Sequence, residues 1–207
     1  MNAMRRVVSI GALSALLLAS PDAWAGSWFL TGTVALGGAN QEIESPIGRI
    51  DFESIGVVSL TGGGGYRFSP DVSGSLEIGW SERGGGFTRT SVFHPDGDGH
   101  FELDRSYFDV LSTWSYRMQI GQSTAGVSLA PRISFLLTEP ELGFSPLDDN
   151  KVIPGIDPSV FVGFKGVRIV ARYVLDLGPS YEATGESGTA KVLDSGFFVG
   201  LGMELPI

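Results

Sequence analysis

Apolar and polar positions alternate with a period of two through most of the chain after Ser27. The clearest stretch is Val72 to Trp80, where Val72, Leu76, Ile78 and Trp80 share one face with Gly74, and Ser73, Ser75, Glu77 and Gly79 share the other. Val167 to Leu177 repeats the split, with Val167, Ile169, Ala171, Tyr173, Leu175 and Leu177 opposed by Arg168, Val170, Arg172, Val174 and Asp176. Ala125 to Leu137 and Phe198 to Ile207 follow the same rule. Less regular runs at Trp28 to Leu36, Val57 to Phe68, Tyr107 to Arg117 and Ser159 to Lys165 bring the predicted strands to eight. Most are close to the roughly 9–11 residues that a tilted strand needs to cross a hydrocarbon layer.

The connectors alternate between short and long. Ser69-Pro70-Asp71, Met118 to Thr124 and the Gly166 region are short, whereas Gly37 to Gly56, Ser81 to Ser106, Thr138 to Pro158 and Gly178 to Ala190 are long and polar. Short inner turns and long outer loops, with both chain ends on the inner side, are the layout of an all-β, eight-stranded antiparallel up-and-down transmembrane β-barrel. Aromatics fit two interfacial girdles. Trp28, Tyr66, Phe68, Trp114, Tyr116 and Phe164 fall near the inner ends of their strands, and Trp80, Phe108, Phe135 and Phe197 near the outer ends. A soluble lipocalin-like barrel is the competing arrangement. It would have to fit the large apolar set inside eight strands and expose mostly serine and glycine.

The first residues bear on compartment. Arg5 and Arg6, an apolar run from Val7 to Ala19 and small residues at Ala23 and Ala25 have the form of a secretory signal peptide cleaved after Ala25. That leaves residues 26–207 as one barrel domain in the outer membrane. Removing 1–25 takes away Arg5, Arg6 and Asp22 and leaves 12 basic against 22 acidic residues, a formal charge of −10. An acidic exported chain is a poor partner for nucleic acid. Without cysteine there is no disulfide or thiolate metal site, so pairing and packing must stabilise the fold. The expected surroundings are outer-membrane lipid and lipopolysaccharide, with the barrel-assembly machinery as a partner during insertion.

Four stretches carry a resemblance: Leu76-Glu77-Ile78-Gly79-Trp80-Ser81-Glu82-Arg83-Gly84, then Asp104 to Val110, then Ala125-Gly126-Val127 leading to Pro131, and finally Asp194 to Gly202. Through these the chain resembles the PorT-like family of outer-membrane β-barrel domains, with OmpA-like and OmpX-like barrels as neighbours. The resemblance implies an integral outer-membrane barrel with no common activity and no cofactor. Barrels of this kind usually close on an aromatic residue, and here Leu205-Pro206-Ile207 keeps only the apolar alternation.

On the polar face, the alternation and strand-end positions gather Glu77, Asp109, Asp176 and Glu204 with Arg105, Arg132, Lys165, Arg168 and Arg172. Ionised groups inside a narrow barrel must be paired, hydrogen-bonded or wet, so a lumen charge network is expected. A narrow conducting path lined by these charges is the functional alternative, although wide aqueous channels belong to larger barrels. His94 and His100 lie near Ser91, Asp96, Asp98, Glu102, Asp104 and Ser106, but a hydrolytic triad needs fixed geometry, and solvated loop residues are the expected reading. Asp96 to Asp104 has alternating oxygen ligands yet lacks the glycine and glutamate that an EF-hand places at its sixth and twelfth positions. Gly62 to Gly65 is followed by no lysine-serine pair and is expected to pack against Trp80 or another large neighbour. A structural or surface-contact role through the long loops is the favoured function.

Overall fold

A computed structural model describes residues 26–45, 48–51, 53–89, 99–137, 148–149, 151–185 and 188–207, and the described residues contain strands and no helix. In chain order these are β1 (Ser27–Ser45), β2 (Gly48–Asp51), β3 (Ile55–Arg67), β4 (Val72–Arg89), β5 (Gly99–Ile120), β6 (Ser123–Leu136), β7 (Asp148–Asp149), β8 (Val152–Phe164), β9 (Val167–Asp176), β10 (Tyr181–Gly185) and β11 (Gly188–Pro206). Eight of them form a closed wall in the order β1-β3-β4-β5-β6-β8-β9-β11, and β11 pairs back onto β1 from Phe29↔Pro206 to Glu44↔Lys191. Every ladder is antiparallel. Closure removes the free edges, which is how strands satisfy their backbone polar groups in lipid.

The alternation sets what each side of the wall meets. Leu36, Leu76, Ile78, Val127, Val162, Ile169 and Leu201 all project outward and are exposed, Leu36 at 65% and Leu201 at 62%. The inward positions are mostly Ser, Thr, Gly, Ala and charge, with Ser59, Ser73, Ser81, Thr61, Glu77 and Asp109 all buried, joined by a few large residues such as Phe29, Tyr107, Phe161 and Phe198. A lipocalin-like barrel needs the reverse polarity. Trp28 packs edge-on against Tyr66, Tyr66 against Phe68, and Phe68 stacks on Trp114 at 5.9 Å, a continuous aromatic row around one rim. Phe108 and Phe135 meet at the other rim.

Several element boundaries differ from the sequence expectation. The connector expected at Met118 to Thr124 is only Gly121-Gln122, because β5 runs on to Ile120 and β6 starts at Ser123; Gly121 takes φ +64°, which glycine adopts without strain. Where they are described, the stretches expected as long polar loops are largely strand. β1, β4, β5 and β11 extend beyond the spanning belt to total lengths of 18 to 22 residues, and β5 is about twice the length a spanning strand needs. Polar residues on both faces obscure the alternation there, yet β-pairing continues in water as readily as in lipid. Lys165 and Gly166 both have positive φ, 48° and 83°, the two-residue turn whose twist matches a hairpin. The signal-peptide reading concerns residues 1–25, which lie outside the described residues.

Candidate functional site

The lumen is built in three levels. At the outer level, next to Phe108 and Phe135, β4 brings Arg83 and Ser81, β5 Asp109, β6 Arg132 and Ser134, β8 Asp157 and β9 Asp176. All are buried, and Arg83 has no exposed surface. Arg83 donates to Asp176 at 2.9 and 3.2 Å, to Asp109 at 2.5 Å and to Ser134 at 2.8 Å, and its guanidinium lies 4.1 Å over the Tyr107 ring. Arg132 donates to Asp157 at 2.8 Å and to Asp176 at 2.6 Å, and also bonds Ser134. Ser81 and Ser134 each donate to Asp109 at 2.5 Å. Two arginines thus hold three aspartates, and Arg172, 3.9 Å from Asp157, offsets the remaining charge. Guanidinium groups shared between carboxylates, together with hydroxyl donors, are what make these ion pairs tolerable out of water.

Beside this lattice, Ala35, Ala39, Ile55, Val57, Val174 and Phe198 form an apolar cluster contributed by β1, β3, β9 and β11. Lattice and cluster together place buried side chains from all eight wall strands in the outer half of the lumen. Above them Arg105 faces Asp194 at 3.5 Å, and the Tyr107 hydroxyl donates to Asp194 at 3.1 Å.

At the inner level Glu204 collects three arginines. Arg67 pairs with it closely, Arg117 donates at 2.9 and 3.3 Å, and Arg168 stands 3.5 Å away. Arg117 also reaches Ser73, and Arg168 reaches Thr31. The middle level is a cavity of about 50 Å³ lined largely by hydroxyls, among them Thr33, Ser75, Thr113, Ser128 and Ser159, with Glu77 on its wall. At roughly 10–15 Å³ per water it holds about three to five.

Of the expected charge network, Asp109, Arg132 and Asp176 meet in the outer lattice, Arg172 borders it, and Glu204 and Arg168 meet at the inner level. Arg105 sits above the lattice with Asp194, and Glu77 faces the cavity. Lys165 does not join: it is exposed in the β8–β9 turn, with its ammonium 5.1 Å over the Phe164 ring. The inward parity of β8 ends where the chain reverses, so position 165 no longer points into the barrel.

Five further residues belong to the network: Arg83, Asp157, Asp194, Arg67 and Arg117. Each keeps the inward parity of its strand. Arg83 and Asp157 lie in stretches that look like loop, and extending the alternation two or three residues past Trp80 and before Ser159 reaches both.

Gly62 to Gly65 does not pack against Trp80, which pairs with Leu60 instead. The large neighbour is Phe29, whose ring lies 2.3 Å from where a Gly65 Cβ would stand. Ser91, His94, Asp96 and Asp98 are outside the described residues, while His100, Glu102 and Asp104 fall on β5 opposite Thr88, Gly86 and Gly84. That segment is a strand pair where a loop was expected. Among the described residues no group of three or more His, Cys, Asp or Glu is placed to hold a metal ion.

No family model and no curated protein matches the chain. Among solved structures it is similar to the outer membrane protein OprG from Pseudomonas aeruginosa, with a TM-score of 0.53 and 13% identity over 88% of this chain and 97% of that one. The fold is that of an eight-stranded outer-membrane barrel. A Neisserial surface protein A structure also matches, with a TM-score of 0.44 and 13% identity over 86% of this chain and 98% of that one. At such identity the likeness concerns the outer-membrane barrel architecture alone.

Proposed function

We propose that this protein is an integral outer-membrane barrel that acts as a closed scaffold, presenting its extended outer strands and loops to contacts outside the cell. The observation that carries this reading is the combination of an apolar exterior with an outer lumen occupied by the Arg83 and Arg132 lattice and the Phe198 cluster. A wall this well sealed leaves the outer rim as the working surface, and rigid scaffolds with long outer segments suit recognition. In this reading residues 1–25 direct export and are removed after Ala25, the assembly machinery inserts the barrel, and lipid and lipopolysaccharide surround it. Membership of the PorT-like family is part of the proposal and rests on the barrel motifs in the sequence. No catalytic role is assigned.

Planar-bilayer recording tests the closed scaffold against a narrow pore. The purified barrel should insert without steady conductance. A steady ion-selective current, abolished or inverted by neutralising Arg168 and Arg172, would establish the pore instead.

A further inference from the structure

Glu77 stands apart from the other lumen acids. Asp109, Asp157, Asp176, Asp194 and Glu204 each face at least one arginine. Glu77 is 7% exposed, and its carboxylate accepts from Ser75 at 2.7 Å and Thr61 at 3.3 Å, with no cationic partner among the described residues. It lies between the outward-facing Leu76 and Ile78, near the middle of the apolar belt and between the two arginine clusters. Both arginines that border its cavity are engaged elsewhere. Arg168 is held by Glu204 and Thr31, and Arg172 by Ser59 with Asp157 nearby. Both reach from β9 to these acceptors on β11, β1, β3 and β8, and neither is bonded to Glu77.

A buried carboxylate with only hydroxyl donors is costly unless something neutralises it. The cavity supplies space for that something. The hydroxyls of Ser75, Thr61, Ser73 and Thr113 line the same chamber.

We propose that the Glu77 chamber binds one hydrated alkali cation, Na⁺ or K⁺, held by the Glu77 carboxylate, the neighbouring hydroxyl oxygens and trapped water. An all-oxygen set is the ligand type that hard cations take, and a single carboxylate with room for water suits a monovalent ion better than Ca²⁺, which gathers more oxygens and more charge. The arginine-rich ring around Glu204 makes the inner approach net positive, so exchange is slow and the cation is best supplied during refolding.

The test compares the purified barrel, refolded in detergent micelles in NaCl or in N-methylglucamine chloride at equal ionic strength, with its Glu77→Gln variant. The wild type should show a saturable upward shift of the unfolding midpoint in Na⁺, and the variant no such shift. Equal shifts in both proteins, or none in the wild type, overturn the proposal; such a result would leave Glu77 bridged by water to Arg168 or Arg172. If Glu77→Gln does not fold, crystals of wild-type protein refolded in thallium(I) acetate decide. An anomalous peak beside the Glu77 carboxylate supports the site, and its absence there refutes it.

Discussion

Replacing Arg83 by methionine probes the outer lattice at its hub. The side chain is fully buried and serves Asp176, Asp109, Ser81 and Ser134 at once. Methionine preserves much of the volume but leaves Asp176 with Arg132 at 2.6 Å, and Asp109 with Arg132 at 3.5 Å and two serines. Arg132, with only Arg172 at 3.9 Å from Asp157 to help, would then answer three buried aspartates. Breaking a buried pair on one side costs about 3–5 kcal/mol, because the uncompensated charge stays out of water.

Urea unfolding of the refolded barrel, followed by tryptophan fluorescence, should show that loss as a lower midpoint at unchanged slope. A second substitution sharpens the test. Asp176→Leu in the Arg83→Met background removes the stranded charge, so the double variant should be more stable than the two single losses added together predict, by about 0.5–3 kcal/mol of coupling. A single variant within about 1 kcal/mol of wild type, or strictly additive losses, would refute a lattice that works as a unit.

Three further outcomes follow from the same geometry. Gly65→Ala should cost about 1–3 kcal/mol, since the new methyl falls 2.3 Å from the Phe29 ring and 2.6 Å from the Gly74 carbonyl, whereas Gly64→Ala, 3.9 Å from its nearest neighbour, should stay within about 0.5 kcal/mol in the same unfolding assay. Ile78→Arg, on the lipid face near the middle of the belt, should lower stability in vesicles by about 2–4 kcal/mol and reduce the inserted fraction. Glu204→Gln leaves Arg67, Arg117 and Arg168 without their shared countercharge, with a single amide oxygen left to accept. Its cost should be about 1–3 kcal/mol, tempered by the partial exposure of Arg67, and should shrink as NaCl screens the repulsion, which parallel titrations at low and high salt would read.

The alternation made the spanning part of the wall legible because one face meets lipid and the other a narrow polar lumen, which separates residue types at every second position. It placed Leu76 and Ile78 outside and Ser73 and Glu77 inside, and it ordered the strands through their connectors. Where the wall rises out of the apolar belt, both faces are wet, the pattern fades, and β4 past Trp80 reads as loop although its pairing continues to Arg89. Arg83 lies in that stretch. Its main partner, Asp176, is 93 residues away in sequence, and only closure of the barrel brings the two together. Lys165 shows the opposite failure: parity carried one residue too far, into a turn. The pairing of Gly65 with Phe29 was hidden because it depends on the register between β1 and β3.

Membrane retention and folded mobility test the central claim most directly. Outer membranes from cells expressing the protein would be washed with urea, and the retained chain run on a gel with and without boiling. A closed, lipid-facing barrel stays in the membrane and changes mobility only after heating. Release by urea, or a chain whose mobility ignores heating, would contradict the lipid-facing wall and the sealed lumen together.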